Sequence, residues 1–183
     1  MGLFLRELQG LFRRFRPRYL FWTWMASLLP DQCMSSPRAT LYRFAGCDIS
    51  RGVGIFGRLT FVGSGNFPKR LHIGPGTFIG HGVTFGLDDE IRIGSNVSVG
   101  PYSTLYTATH SIGTGPCRMH PVVSPKPVIV EDGVWIAMNC LVLPGVTIGK
   151  RSVVSAGAVV KKDLPPNSLA EGNPAVVRKQ LHD

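Results

Sequence analysis

Every sixth residue from position 130 is a branched aliphatic: Val130, Ile136, Val142, Ile148, Val154 and Val160. The hexads they open read VEDGVW, IAMNCL, VLPGVT, IGKRSV, VSAGAV and VKKDLP. The same beat opens IGPGTF, IGHGVT and FGLDDE at Ile73, Ile79 and Phe85. It slips by two residues and resumes at Ile93, Val99 and Leu105, and a weaker run starts at Ile49. A fixed period of six marks a repeat architecture. It predicts one short strand and one corner per hexad, with the repeated aliphatic pointing inward, where β-branched side chains suit a pleated, buried surface. Three hexads close a triangular coil of about 18 residues, and coils stack at roughly 4.8 Å. The predicted fold is all-β: a parallel β-helix solenoid. A β-sandwich would need six aliphatics in unbroken phase by chance.

Breaks in the beat mark loops. One lies at Leu87-Asp88-Asp89-Glu90. A larger one, SIGTGPCRMHPVVSPKP over 111–127, is rich in Gly and Pro and predicts a protruding loop on the rigid solenoid, where binding groups tend to sit. Before the repeat, residues 1–48 form a basic, aromatic segment. The apolar run 19–29 is too short to span a bilayer as a helix, and no small-residue cleavage site follows it before Pro30. Two compatible roles remain. One is a short helical cap over the open end of the solenoid, and the other is peripheral membrane contact through residues 1–30, where arginines sit beside Trp and Phe. The segmentation is therefore 1–48, a β-helix over 49–170, and a C-terminal tail over 171–183.

The composition agrees. Glycine (22) and proline (14) are abundant, apolar residues make up 44% and charged residues 17%, which excludes a disordered chain and disfavours a helical bundle. The net charge of +9 favours an anionic partner, and Arg6, Arg13, Arg14, Arg16, Arg18, Arg38 and Arg43 crowd the first quarter. Cys33, Cys47, Cys117 and Cys140 show neither CxxC spacing nor a zinc pattern, which points to a reducing cytosol with no disulfide framework and no bound metal.

Four segments, TATHS at 107–111, VWIAMNCLVLPGVTIGK at 134–150, VVSAGAVVKKDLPPNS at 153–168 and EGNPAVVRK at 171–179, resemble the hexapeptide-repeat O-acetyltransferases, a family that includes maltose, galactoside, nodulation-factor and colanic-acid-type enzymes. The resemblance covers about 71–179. It implies a left-handed β-helix, a homotrimer with sites between subunits, acetyl-CoA as donor, a sugar or glycan hydroxyl as acceptor, and no nucleic acid. It also implies a catalytic base at His110, in the T-x-T-H context where the coil opens into the large loop. A neutral imidazole there takes the hydroxyl proton as the oxygen attacks the thioester. Of the other histidines, His72 and His81 lie within repeats, His182 is terminal, and His120 lies in the loop, where it lines an acceptor site or is merely solvated. Asp88 and Asp89, one coil before His110, are candidates for holding the acceptor or orienting the imidazole, against the alternative of an exposed turn. For the CoA arm the resemblance marks Trp135, Ala137, Ala156 and Gly157, with Lys161 and Lys162 toward its phosphates; a solvated basic corner is the competing reading for the lysines. Ser111 stands where small-sugar enzymes often carry Pro, and Val176 where Arg is common; with the hydrophobic, basic N-terminus, which favours a glycan made at the inner membrane face, this turns the expectation toward polysaccharide or other cell-surface glycan biosynthesis. The competing functions are an amino-sugar N-acetyltransferase, an antibiotic acetyltransferase, a zinc carbonic anhydrase on the same fold, and a non-catalytic scaffold.

Overall fold

The computed structural model describes residues 16–182, apart from the side chains of 120–122. The basic segment before Arg16 lies outside the described residues. The repeat forms a parallel β-solenoid of about six turns, and its strands stack into three sheets. The first face carries Asp48–Ile49, Leu71–Ile73, Ile91–Ile93, Val128–Val130 and Thr147–Ile148. The second face runs from Gly54–Ile55 to Ser168–Glu171, and the third from Thr60–Val62 to Val159–Val160.

The register places the period-six residues on top of one another. Ile49, Ile73, Ile93, Val130 and Ile148 are direct partners on the first face. Ile55, Ile79, Val99, Ile136, Val154 and Ala170 form the second ladder, each fully buried. Phe61, Phe85, Leu105, Val142 and Val160 form the third. Fully burying one such side chain contributes about 1.5–3 kcal/mol, so the ladders are the main source of stability. Corners stack too. At one of them Gly52, Gly76, Asn96, Gly133, Arg151 and Asn167 all adopt positive φ, and the peptide groups of successive turns are hydrogen-bonded there. Gly and Asn enter this region most readily, which explains their recurrence.

Two helices precede the solenoid: α1, Pro17–Ser27, and α2, Ser35–Ala45. Helix α2 lies across the first turn. The Tyr42 hydroxyl accepts a hydrogen bond from the Leu59 amide at 3.0 Å, and Arg43 donates to the carbonyls of Ile49 (2.7 Å) and Ser50 (3.0 Å). The keystone is Arg38, which is fully buried. Its Nη2 donates to the carbonyls of Leu29 and Pro30, both at 2.7 Å, and its Nη1 to those of Cys33 (3.3 Å) and Ile55 (3.2 Å). One side chain thereby joins the end of α1, the interhelical loop and the first turn. No described helix is long and apolar enough to cross a membrane.

The tail folds back rather than trailing away. Val176–Gln180 pairs antiparallel with Ser168–Glu171 and extends the second face. The large break is likewise ordered: Ala108–Ile112 and Met119–Pro125 form an antiparallel hairpin. Its Gly- and Pro-rich sequence breaks the six-residue beat, and strand pairing resumes at a different period.

Candidate functional site

Three consecutive turns are lengthened at the same corner, where the third face passes to the first. The steps from Phe61 to Ile73, Phe85 to Ile93 and Leu105 to Val130 all exceed the six residues from Val142 to Ile148. The insertions, 63–70, 87–90 and 107–127, therefore lie along one edge of the prism. Asp88, Asp89 and His110 sit on two adjacent members of this row.

Thr107 fastens those two together. Its hydroxyl is buried, donates to the Gly86 carbonyl at 2.6 Å and accepts from the Asp89 amide at 2.9 Å. Its carbonyl accepts from the Lys126 amide at 2.7 Å, which closes the hairpin base. His110 is three residues further on, opposite Val123, with its side chain exposed. It shares a face of the hairpin with buried Ala108, two residues before it. The Asp89 carboxylate accepts from the Glu90 amide at 2.7 Å, and the Asp88 carboxylate accepts from the Ser64 hydroxyl at 3.0 Å. Asp89 is thus held within its own turn, and Asp88 by the insertion one turn earlier. His120 falls on the returning strand, and its side chain lies outside what is described.

A second feature lies on the second face and its corner with the third. A groove of ≈ 620 Å³ is lined by Trp135, Ala137, Met138, Ala156, Leu169 and neighbours, and is mostly apolar. Trp135 points outward and is 54% exposed, while its strand neighbour Ile136 is fully buried in the ladder. An exposed indole above small residues suits an extended, partly apolar ligand lying along the coil. Gly157 follows Ala156 with φ +73°, and a Cβ built on it meets nothing within 4 Å, so the backbone is open there. Lys161 and Lys162 are exposed but lie past Val160, at the corner that carries the insertions, away from the groove lining.

The structure thus brings Asp88, Asp89 and His110 to one edge, and Trp135, Ala137 and Ala156 to one groove. The two assemblies stand at opposite ends of the third face. Sequence reasoning assigned no role to Thr107, although it opens the TATHS motif, nor to Met138 and Leu169, which carry no distinctive pattern. Among the described residues, no group of three or more His, Cys, Asp or Glu side chains is gathered as a metal site. His72 instead pairs with Asp48 (2.9 Å), and His81 with Asp31 (3.2 Å). Burial pushes the Cys47 thiol up to about 12 and also raises that of Cys140, so neither suits a nucleophile.

Residues 127–162 match the family model described as bacterial transferase hexapeptide (six repeats). The putative colanic acid biosynthesis acetyltransferase WcaF of Escherichia coli K12 is 31% identical over 163 residues, covering 88% of this chain and 85% of that protein. The galactoside O-acetyltransferase of Lactococcus lactis is 38% identical over 115 residues, which cover 63% of this chain. The chain spans only 55% of that relative's length. Among solved structures, a hexapeptide-repeat acetyltransferase from Vibrio cholerae, complexed with acetyl coenzyme A, superposes with a TM-score of 0.71 at 32% identity, covering 97% of this chain and 90% of that one.

Proposed function

This chain belongs to the hexapeptide-repeat acetyltransferase family, and from that premise we propose that it transfers an acetyl group from acetyl-CoA to a sugar hydroxyl, with His110 as general base. The observation that supports the reading is the row of insertions, which carries an exposed imidazole and, one turn earlier, two hydrogen-bonded carboxylates along the same edge. Neutral His110 accepts the hydroxyl proton as the oxygen attacks the thioester carbonyl. The tetrahedral intermediate collapses, the C–S bond breaks, and the imidazolium returns its proton to the departing CoA thiolate. Asp88 and Asp89 orient the acceptor hydroxyls. The pantetheine arm lies along Trp135, Ala137 and Ala156 and passes the open backbone at Gly157, and Lys161 and Lys162 take the CoA phosphates.

One chain holds base and groove at opposite ends of a face, so the complete site forms between copies, in a homotrimer where His110 of one subunit meets the groove of the next. The apolar residues on the hairpin support this. Ile112 is 87% exposed and Met119 55% in the single chain, and a neighbouring subunit covers them. Helix α1 adds a second contact. Leu20, Phe21 and Trp24 on the helix and Leu28 at its C-terminal cap are each about half exposed, and the helix carries no acidic residue, which suits a membrane surface at the inner face, where glycan precursors are made. The match to the colanic-acid-type relative favours a polysaccharide precursor as acceptor. The test is thiol release from acetyl-CoA against a panel of sugars, nucleotide sugars, lipid-linked glycans and amino sugars. The expected result is turnover with a hydroxyl acceptor; turnover confined to amines overturns the O-acetyl reading.

A further inference from the structure

The edge that carries His110 and the two aspartates continues to a third insertion, and that insertion encloses a cavity no step above uses. Arg16, Gly63, Ser64, Gly65 and Phe67 line it, with a volume of ≈ 230 Å³. The Arg16 guanidinium lies over the Phe67 ring, 5.0 Å from its centroid. Its Nη1 is buried yet makes no hydrogen bond among the described residues. A guanidinium is charged at every accessible pH and has only donors, so a buried, unsatisfied N–H of this kind calls for an acceptor.

A second guanidinium, Arg70, stands in the same insertion behind the lining residues. Arg70 Nη1 is anchored to the carbonyls of Ser64 (3.2 Å), Leu87 (2.9 Å) and Asp88 (2.8 Å). A Cβ built on Gly65 would come within 3.6 Å of Arg70 Nη2, so this guanidinium lies just behind the cavity lining. One carboxylate is close: Asp88, whose Oδ1 accepts from the Ser64 hydroxyl. The local balance is therefore two cations to one anion. Gly63 packs against the next turn, where a Cβ would meet the Leu87 carbonyl at 2.8 Å, so the loop is held close to the Asp88 insertion. The Arg16 guanidinium, with the Arg70 cation held behind the loop, presents the forked donors that phosphate oxygens take.

We propose that this cavity seats the phosphate or diphosphate of the acceptor, so that the substrate is a sugar phosphate ester rather than a free sugar. The insertion lies two turns from the one that carries His110, about 10 Å along the solenoid axis. A phosphorylated sugar spans this edge with its anomeric diphosphate at Arg16 and a ring hydroxyl at His110, its other hydroxyls passing Asp88. The inference rests on His110 marking the acyl-transfer centre. Nucleotide-linked and lipid-linked sugars share the chemistry.

The test uses the full chain with CoA at saturation, so that the phosphate sites of CoA are filled. Inorganic pyrophosphate is titrated calorimetrically into the wild type, R16Q, R70Q and R16K. The expected result is binding to the wild type, at least tenfold weaker binding to R16Q and R70Q, and intermediate binding to R16K. Pyrophosphate affinity equal in wild type and R16Q, or no binding to the wild type, overturns the proposal. In parallel, a glycosyl phosphate, a nucleotide sugar and a short polyprenyl diphosphate sugar are compared as acceptors with the matching methyl glycosides. A KM at least tenfold lower for phosphorylated acceptors, lost in R16Q, supports the subsite, and the better of the two diphosphates identifies the source. Equal KM values for esters and glycosides overturn it. Pyrophosphate binding that needs Arg16, without acetyl transfer to any acceptor, refutes the transfer reading while leaving the anion site standing.

Discussion

Replacing Arg38 with methionine removes the donors that join the helical pair to the solenoid and leaves an unbranched apolar side chain that reaches about as far as Nε. Two of its hydrogen bonds, to Leu29 and Pro30, are short at 2.7 Å. The others, at 3.2–3.4 Å, are weaker, and the Asp31 contact at 3.8 Å is weaker still. Net contributions of about 1.5–3 kcal/mol for a hydrogen bond to a charged group put the short pair at about 3–6 kcal/mol. Methionine carries no charge to desolvate, which returns part of that sum. We expect a net loss of about 3 kcal/mol, which for a chain of this size lowers the Tm by roughly 10 °C. Because the bonds converge on α1 and α2, amide hydrogen exchange in α1, α2 and the loop between them accelerates by about 100-fold. The ladder amides of the fourth and fifth turns change much less. Calorimetry and exchange mass spectrometry on R38M measure both. A Tm within ~2 °C of wild type, with unchanged exchange in the helices, refutes the keystone role.

In the ladders, I136A removes a fully buried side chain and costs about 2–5 kcal/mol, read by chemical denaturation; a loss below about 1 kcal/mol contradicts the packing. W135A raises the KM for acetyl-CoA about tenfold, leaving kcat within a factor of about three, if the indole holds the CoA arm. Mixing an inactive H110A chain with an inactive variant whose groove is blocked by A156W restores activity in mixed oligomers if each site draws on two subunits; no restoration in refolded mixtures contradicts the shared site. The Cys47 thiol is raised from 9.0 to about 12 by burial, so the folded state keeps its proton longer than the unfolded chain. Its contribution is fully present below the unfolded pKa near 9 and is lost as pH rises from there toward 12, so stability falls over that window. Denaturation of wild type and C47A across that range shows a shallower fall for C47A.

The solenoid was legible because its rule is local and repeated. A branched aliphatic at every sixth position from Val130 to Val160 fixes ladder, turn and register together. The short break at Asp88-Asp89 and the long one after His110 were visible as slips in the same beat. Their shared corner was not, because it depends on counting whole turns in three dimensions. The 108–125 hairpin was hidden as well: its strands follow no six-residue beat, and their pairing is fixed by contacts such as His110 with Val123 across a Gly-rich turn. Thr107 sits in the motif, yet its tie to Gly86 and Asp89 is a contact between turns that no spacing in one turn announces. Arg38 looked like one more basic residue of the first quarter. Only burial, with its guanidinium turned to five carbonyls, separates it from the solvated arginines.

The central claim is that His110 takes the acceptor's proton. The direct measurement is the acetyl-transfer rate of H110A beside its affinity for CoA. The account predicts a fall in kcat of about 10²–10⁴-fold with CoA affinity within a factor of about three of wild type, since the groove is built from other residues. An H110A protein that keeps most of its turnover contradicts it.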